Sequence, residues 1–171
     1  MELTKRAAFI TLGCKVNIAE TEGMKLLFQH ADYKIVDANE HADVYVINTC
    51  TVTGMGDKKS RQMIRRAHSL NPDAVIAVVG CFAQVSPEEI SKIEGVNLVL
   101  GNNMKHRIVE LVENTQGDEK KQYVNERKTL LEYEELPIET YEGHTRAFLK
   151  VQDGCDQFCS YCIIPYARGP V

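Results

Sequence analysis

Apolar residues in this chain form short continuous runs, separated by longer segments with helical periodicity. The β-rich apolar runs are Ala7–Leu12, Tyr33–Val36, Val44–Asn48, Val75–Val79 and Leu98–Leu100. The intervening segments with the length and periodicity of helices are Asn17–His30, Gly56–Leu70, Pro87–Glu94 and Met104–Asn114. Near-continuous apolar strands that alternate with helices indicate a mostly parallel sheet with helices on both faces. The pattern therefore predicts an α/β fold.

The helix predicted at Pro87–Glu94 carries its own start and stop signals. Ser86 and, three residues later, Glu89 form the pattern of a capping box, and Pro87 suits the first helical position. Gly95 follows as a typical helix end. These residues predict a helix with a side-chain cap at its start.

The pattern changes after Asn114. Thr115–Gly143 is rich in Glu, Lys and Gln, and we interpret it as a connector with a weak strand near Gln122–Asn125. Arg146–Gln152 then predicts a new strand that leads directly into a cysteine-rich loop. These changes divide the chain into an N-terminal domain at residues 1–114, a connector at 115–143 and the start of a second domain at 144–171.

Composition narrows the possible environment. The chain has 171 residues, of which 44% are hydrophobic and 26% charged, as in a globular protein with a real core. The N-terminal apolar run is too short for a secretory signal, and no apolar run approaches the roughly 18 residues of a membrane span, so we expect a cytoplasmic location. The net charge of −4 neither indicates nor excludes a nucleic-acid binder. In a reducing compartment, six cysteines predict metal ligands or redox groups and not disulfides.

Three cysteines are far apart in sequence but have similar local settings. Cys14, Cys50 and Cys81 each closely follow an apolar strand and precede a helical segment. The carboxyl ends of parallel strands lie at one edge of a sheet, so these thiols are expected to converge there. Three thiolates suit a cubane iron–sulfur cluster with one iron left open. The alternative is three buried, inert cysteines, since free cysteine is often buried.

The other three cysteines lie within eight residues of one another. Cys155, Cys159 and Cys162 have the spacing C-x3-C-x2-C, which allows one loop to hold three irons of a cluster. A zinc site is the competing hypothesis, but it usually needs a fourth ligand, for which His144 is the nearest candidate.

Several segments resemble the methylthiotransferase family of radical S-adenosylmethionine (SAM) enzymes. The C-x3-C-x2-C loop is similar to the signature of radical-SAM enzymes in general. The GCKVN form and the KKSRQ segment most resemble the branch that modifies N6-threonylcarbamoyladenosine in tRNA. The matching segments are TLGCKVN (Thr11–Asn17), ADVYVINTCTVT (Ala42–Thr53), GDKKSRQMIRRA (Gly56–Ala67), VGC (Val79–Cys81) and CSYCIIPYARG (Cys159–Gly169).

The resemblance implies an enzyme with two 4Fe-4S clusters that uses S-adenosyl-L-methionine. By this resemblance the auxiliary cluster is expected on Cys14, Cys50 and Cys81, and the radical-SAM cluster on the other three cysteines. The implied reaction cleaves SAM to a radical that activates C2 of the adenine at position 37 of tRNA, which then receives a methylthio group. Tyr161 is expected near the SAM adenine, although a surface aromatic residue packing on its loop is an equal alternative. The electron donor and the sulfur source are not indicated.

Other polar residues near these motifs have two possible interpretations. Asn17 and Asn48 are expected to orient the loops of the first cluster, or to serve in turns and caps as Asn commonly does. The Gly56–Leu70 helix is predicted to be amphipathic. Its basic face is either an ordinary solvated surface or a contact for tRNA phosphates. The basic residues are Lys58, Lys59, Arg61, Arg65 and Arg66, opposite Met63, Ile64, Ala67 and Leu70.

Members of this family continue through the rest of a radical-SAM barrel and an RNA-binding domain. A (β/α)8 barrel alone takes roughly 200 residues or more. We therefore expect this chain to be the N-terminal portion of such an enzyme, inactive on its own. Alternatives within the same chemistry are methylthiotransferases for isopentenyladenosine in tRNA or for a ribosomal-protein aspartate. A non-catalytic iron–sulfur or zinc-binding module is the alternative outside it.

Overall fold

A computed structural model describes residues 4–51, 54–115, 117, 119–126, 129–130, 134–137, 148 and 150–171. Within them the strands are β1 (Arg6–Thr11), β2 (Lys34–Val36), β3 (Val44–Thr49), β4 (Val75–Gly80), β5 (Val96–Leu100) and β6 (Lys121–Tyr123). The helices are α1 (Lys15–His30), α2 (Gly54–Leu70), α3 (Cys81–Val85), α4 (Pro87–Ser91), α5 (Ile108–Glu113) and α6 (Ile164–Arg168). A 3-10 turn at Lys105–Arg107 precedes α5.

The strands form one sheet in the order β2-β1-β3-β4-β5-β6, and every neighbouring pair is parallel. The three central strands β1, β3 and β4 therefore end side by side. Thr11 lies opposite Asn48, and Thr49 lies opposite Gly80. This register places the loops that follow the three strands at one edge of the sheet.

Both faces of the sheet are covered by helices. On one face Tyr45, Ile47 and Ile76 pack with Ile64 of α2 and with α4. On the other face, alternate strand residues pack with Met24 and Phe28 of α1 and with α5. Burial on both sides explains why these strands are almost continuously apolar. None of the helices in the described ranges has both the length and the apolar character to cross a bilayer.

The predicted α/β fold and parallel sheet are confirmed, with small differences at element ends. The predicted strand near Gln122–Asn125 is present as β6 at Lys121–Tyr123. The segment Met104–Asn114 divides into the 3-10 turn and α5, while α3 and α6 were not predicted.

The capping box predicted at Ser86 was wrong. Ser86 is the residue before α4, but its side chain makes no capping hydrogen bond, and α4 ends at Ser91. The carboxylate of Glu89 instead lies 2.5 Å from the guanidinium of Arg61 on α2. Glu89 therefore forms an ion pair with Arg61 of α2 in place of the predicted capping hydrogen bond at the start of α4.

The second half of the chain is described only in part. Of the strand predicted at Arg146–Gln152, Arg146, Ala147 and Leu149 lie outside the described residues, and residues 150–152 are not in a strand. His144, the candidate fourth zinc ligand, also lies outside the described residues.

Candidate functional site

The three separated cysteines lie at the same edge of the sheet, where β1, β3 and β4 end. Cys50 directly follows β3 and Cys81 directly follows β4, so the register of these strands makes them neighbours. Cys14 lies in the short loop after β1 and is the residue before α1. Cys14 is exposed, whereas Cys50 and Cys81 are buried.

Gly13 brings the first of these loops against Cys50. Its φ angle of +101° belongs to a region that favours glycine. A Cβ atom at this position would lie 2.5 Å from Cβ and 2.7 Å from Sγ of Cys50. The loop that carries Cys14 thus passes directly over the Cys50 side chain, which only glycine permits.

Gly80 allows a similar close approach before Cys81. Its φ angle is +93°, and a Cβ atom would lie 2.5 Å from both Asn48 Oδ1 and the Thr49 carbonyl oxygen. Asn48 is fully buried, and its Nδ2 donates to the Asn17 carbonyl oxygen (3.1 Å) and to Thr21 Oγ1 (3.2 Å). Asn48 Oδ1 has no hydrogen-bond partner among the described residues, although it is buried.

Asn17 joins the backbones that lead to two of the cysteines. Its Nδ2 donates to the carbonyl oxygens of Leu12 (2.7 Å) and Thr49 (2.9 Å). Cys14 Sγ lies 3.8 Å from Asn17 Oδ1. Asn17, in the first turn of α1, therefore fixes the ends of β1 and β3 relative to each other. The hypothesis that Asn17 and Asn48 orient these loops agrees with this geometry.

The environment of Cys81 combines burial with nearby charge. Burial raises the pKa of the Cys81 thiol, against the opposing effect of the positive charges of Arg168 and Lys105.

A buried group of charges lies beside this edge, centred on Glu20 of α1. Arg168 Nη1 lies 2.8 Å from Glu20 Oε1, Lys105 Nζ 3.3 Å from Oε2 and Lys150 Nζ 3.5 Å from Oε1. Burial alone would raise the pKa of Glu20, but the positive charges, Lys105 and Arg168 foremost, lower it to about 2. Glu20 is therefore a carboxylate held ionised inside the protein.

Two further carboxylates balance the remaining positive charge. Asp153 lies 3.0 Å from Arg168 Nη1 and 2.8 Å from Lys150 Nζ, and Glu134 Oε2 lies 3.8 Å from Lys105 Nζ. Arg168 and the other partners keep the pKa of Asp153 below its usual range, although its burial acts in the opposite direction. We call these six residues the buried ion network: Glu20, Lys105, Glu134, Lys150, Asp153 and Arg168.

The second cysteine group lies on one loop that ends in α6. The Cys162 amide donates to the Cys159 carbonyl oxygen (2.9 Å), which closes a turn, and the Cys155 amide donates to the Gly169 carbonyl oxygen (3.1 Å). Cys159 is exposed, and the other two are half-buried. The Tyr161 ring is 91% exposed.

The basic face of α2 is only partly free. Lys58, Lys59, Arg65 and Arg66 are exposed. Arg61 is half-buried, forms the ion pair with Glu89, and lies over the ring of Phe82 at 5.4 Å from its centroid. Of the five predicted basic residues, Arg61 thus has a structural role that the others do not share.

A comparison with protein-family models assigns the N-terminal part of this chain. The family described as "Uncharacterized protein family UPF0004" matches residues 6–101, which include strands β1 to β5 and the first three cysteines. The chain belongs to this family.

Curated relatives of this UPF0004 member are named as tRNA-modifying enzymes. It is 51% identical over 165 residues to the threonylcarbamoyladenosine tRNA methylthiotransferase MtaB of Bacillus subtilis, covering 95% of this chain and 36% of that protein. For the protein of the same name from Aquifex aeolicus, the identity is 44%, covering 97% of this chain and 41% of the relative. The tRNA-2-methylthio-N(6)-dimethylallyladenosine synthase of Rickettsia prowazekii is 32% identical over 98% of this chain and 40% of its own length.

These matches confirm the predicted resemblance to methylthiotransferases. They also show that the chain spans only about two-fifths of the length of these curated relatives.

The buried ion network of this UPF0004 domain was not predicted. A signal for part of it exists in α1, whose buried stripe at helical spacing is Asn17, Glu20, Thr21, Met24 and Phe28. A carboxylate within a buried helix stripe requires a buried cation or hydrogen-bond donors. Its partners Lys105 and Arg168 come from residues 85 and 148 positions away, so the sequence pattern alone does not identify them.

Proposed function

We propose that this chain is the N-terminal portion of a radical-SAM tRNA methylthiotransferase. Its proposed substrate is N6-threonylcarbamoyladenosine in tRNA, which the full-length enzyme would convert to the 2-methylthio derivative. The observation that carries this proposal is the convergence of Cys14, Cys50 and Cys81 at one edge of the sheet. The names of the relatives support the reaction, and the higher identity to MtaB proteins supports this substrate over dimethylallyladenosine.

The residues at the sheet edge fit an iron–sulfur cluster. Thiolates are the ligands that such clusters prefer, and Gly13 and Gly80 give the loops the close approach that convergence needs. Among the described residues, no three Cys, His, Asp or Glu side chains are close enough to hold a single ion. A cubane cluster distributes its thiolates over separate iron atoms and so accepts a wider arrangement. When bound by three cysteines, it supplies one iron that is open to exogenous sulfur.

The protein around this site favours negative charge. The long helices α1 and α2 both begin at the same edge, and the positive ends of their dipoles stabilise anions such as an iron–thiolate cluster. Arg168 and Lys105 add positive charge near Cys81. Asn17 holds the ends of β1 and β3, so the backbones that lead to Cys14 and Cys50 are fixed relative to each other.

We propose that Cys155, Cys159 and Cys162 hold the second 4Fe-4S cluster, which would bind S-adenosyl-L-methionine. One loop carries all three thiols, and the hydrogen-bonded turn from Cys159 to Cys162 keeps these two residues close along the backbone. The exposed ring of Tyr161 is available to stack on the adenine of SAM.

Iron and sulfide analysis after anaerobic reconstitution tests both sites. We expect about eight irons and about eight sulfides per chain, and a loss of about half of each with either Cys14→Ala or Cys155→Ala. Zinc without sulfide would contradict the proposal, and so would an iron content that neither replacement lowers.

We propose that tRNA contacts the exposed part of the basic face of α2. Lys58 and Arg65 are seven residues apart, so they share one side of the helix, and α2 begins next to Cys50. Phosphates bound along this side would bring the RNA to the sheet edge. Arg61, the third predicted contact, is paired with Glu89 in this structure, so the test uses the two residues without that ion pair.

Salt-dependent tRNA binding by the 171-residue chain tests this face. We expect the double variant K58Q/R65Q to bind more weakly and to reduce the slope of log K against log salt by about 1 for each lost phosphate contact. The matched control is Lys34→Gln, because Lys34 is an exposed lysine on the edge strand β2. Equal slopes for the double variant and wild type would exclude the basic face as the contact.

A further inference from the structure

We propose that Arg168 is a positioning residue that fixes the second cysteine loop against the first cysteine site. This inference rests on the proposed function for its meaning, but its geometry is independent of any bound group. Arg168 is the last residue of α6, six positions after Cys162. Its side chain is only 4% exposed. A guanidinium cannot give up its charge, so it is buried only where its donors are satisfied.

The partners of Arg168 lie on the N-terminal domain. Its Nη2 donates to Asn17 Oδ1 at 2.8 Å, and its Nη1 donates to Glu20 Oε1 at 2.8 Å. Asn17 in turn donates to the Leu12 and Thr49 carbonyl oxygens, which precede Cys14 and Cys50. One side chain thus separates the guanidinium from the backbones that carry two thiols of the first site.

The other side of Arg168 is joined to the second cysteine loop. Its Nη1 also donates to Asp153, and the carbonyl oxygen of the next residue, Gly169, accepts the amide of Cys155. Asn102, which follows β5, donates to the Ala167 carbonyl oxygen and holds the end of α6. Hydrogen bonds on both sides of the covalent Arg168–Gly169 link therefore connect Cys155 to the ends of β1 and β3 that lead to Cys14 and Cys50.

The geometry requires arginine in particular. Arg168 bonds an amide oxygen, a carboxylate on α1 and a carboxylate on the loop at the same time. These bonds come from two separate nitrogens of a planar fork, Nη2 toward Asn17 and Nη1 toward the two carboxylates, whereas a lysine would have to make all three from one nitrogen. A lysine would preserve the charge opposite Glu20 and lose the positioning.

For the proposed function, this arrangement gives the two cysteine sites a fixed separation. The second loop carries the SAM site and the first carries the sulfur site. The tRNA adenine would be activated at the SAM site and receive its methylthio group from the sulfur site. Both steps require a constant distance between the two sites.

Amide hydrogen exchange on the metal-free chain tests the positioning directly. With Arg168→Gln we expect exchange in residues 151–163, including the Cys155 amide, to become about tenfold faster or more, while peptides from β3 and β4 keep their protection. Arg168→Lys should show the same local effect in weaker form. The matched control is Arg107→Gln, which removes an exposed arginine paired with Glu110 and should change neither region.

Two outcomes would overturn the proposal. One is unchanged exchange of the loop in Arg168→Gln. The other is an Arg168→Lys variant indistinguishable from wild type, and this variant decides the matter if Arg168→Gln does not fold.

Reconstituted protein then separates this proposal from the proposed function. With iron content unchanged in Arg168→Lys, the magnetic coupling between the two reduced clusters, measured by pulsed electron paramagnetic resonance, should show a broader distance distribution than in wild type. A distribution as narrow as that of wild type would overturn the positioning role and leave the clusters in place. Failure to assemble clusters in the wild type would overturn the proposed function, while the exchange result on the metal-free chain would still stand.

Discussion

Gly13→Ala would place a methyl group in the contact between the first cysteine loop and Cys50. The new Cβ would lie 2.5 Å from Cβ and 2.7 Å from Sγ of Cys50, so one of the two loops must move. The φ angle of +101° adds backbone strain of about 1–3 kcal/mol for a residue other than glycine. Overpacking against a buried side chain costs about 1–3 kcal/mol more. We expect a loss of unfolding free energy between about 2 and 6 kcal/mol.

Gly117→Ala is the matched control for this substitution. Gly117 also has a positive φ angle, +54°, but a Cβ atom there would meet nothing within 4 Å. Alanine at this position should therefore cost only the backbone strain, about 1–2 kcal/mol. Urea unfolding of the two variants separates the steric contact with Cys50 from the conformational cost of alanine.

The functional consequence of Gly13→Ala is specific to one site. Displacing Cys14 from Cys50 should remove the irons of the first site, about half of the total, and leave those of the Cys155 loop. The control should retain all of them. A Gly13→Ala protein with full iron content and a stability within about 0.5 kcal/mol of wild type would refute the described contact and the convergence inferred from it.

Two further predictions concern the interior. The pKa of Glu20 is about 2 in the folded protein and 4.5 when the carboxyl is free in water. Its ionised form therefore contributes fully to the free energy of unfolding above pH 4.5. That contribution, on the order of 3 kcal/mol, should be lost as the pH falls from 4.5 to about 2, and Glu20→Gln should flatten the urea-measured stability profile there. Phe28→Ala removes a fully buried ring in edge contact with Phe9 and Tyr33, and should cost about 3–5 kcal/mol in urea unfolding. As a control, Val85→Ala changes an exposed residue, so its free energy of unfolding should stay within about 0.5 kcal/mol of wild type. Similar losses of stability for Phe28→Ala and Val85→Ala would contradict the described packing of Phe28.

Features determined by short-range patterns were predictable from the sequence. The central strands β1, β3 and β4 are apolar because both faces of the sheet are buried, so their positions follow from the apolar runs in the sequence. Because parallel strands end at the same edge, the convergence of Cys14 and Cys50 also followed without coordinates.

Features determined by long-range pairing were not predictable in the same way. The capping box at Ser86 is a valid local pattern, yet Glu89 pairs with Arg61 because α2 lies alongside α4 in the folded protein. Likewise, no sequence pattern near Glu20 identifies Arg168 as the partner of its carboxylate. Such pairs depend on which helices become neighbours, and that is decided by the packing of the whole sheet.

The strand register has a consequence for how this domain tolerates changes in length. Cys50 and Cys81 each follow the final residue of adjacent strands, so their backbones leave the sheet from Thr49 and Gly80, one interstrand distance of about 4.8 Å apart. Inserting or deleting one residue within either strand would turn that thiol to the opposite side of the sheet. The segment from Leu12 to Cys14 is not in a strand, but the contact of Gly13 with Cys50 fixes its length in the same way. Natural variation in length is therefore expected to be confined to the far edge of the sheet and to the helix connections.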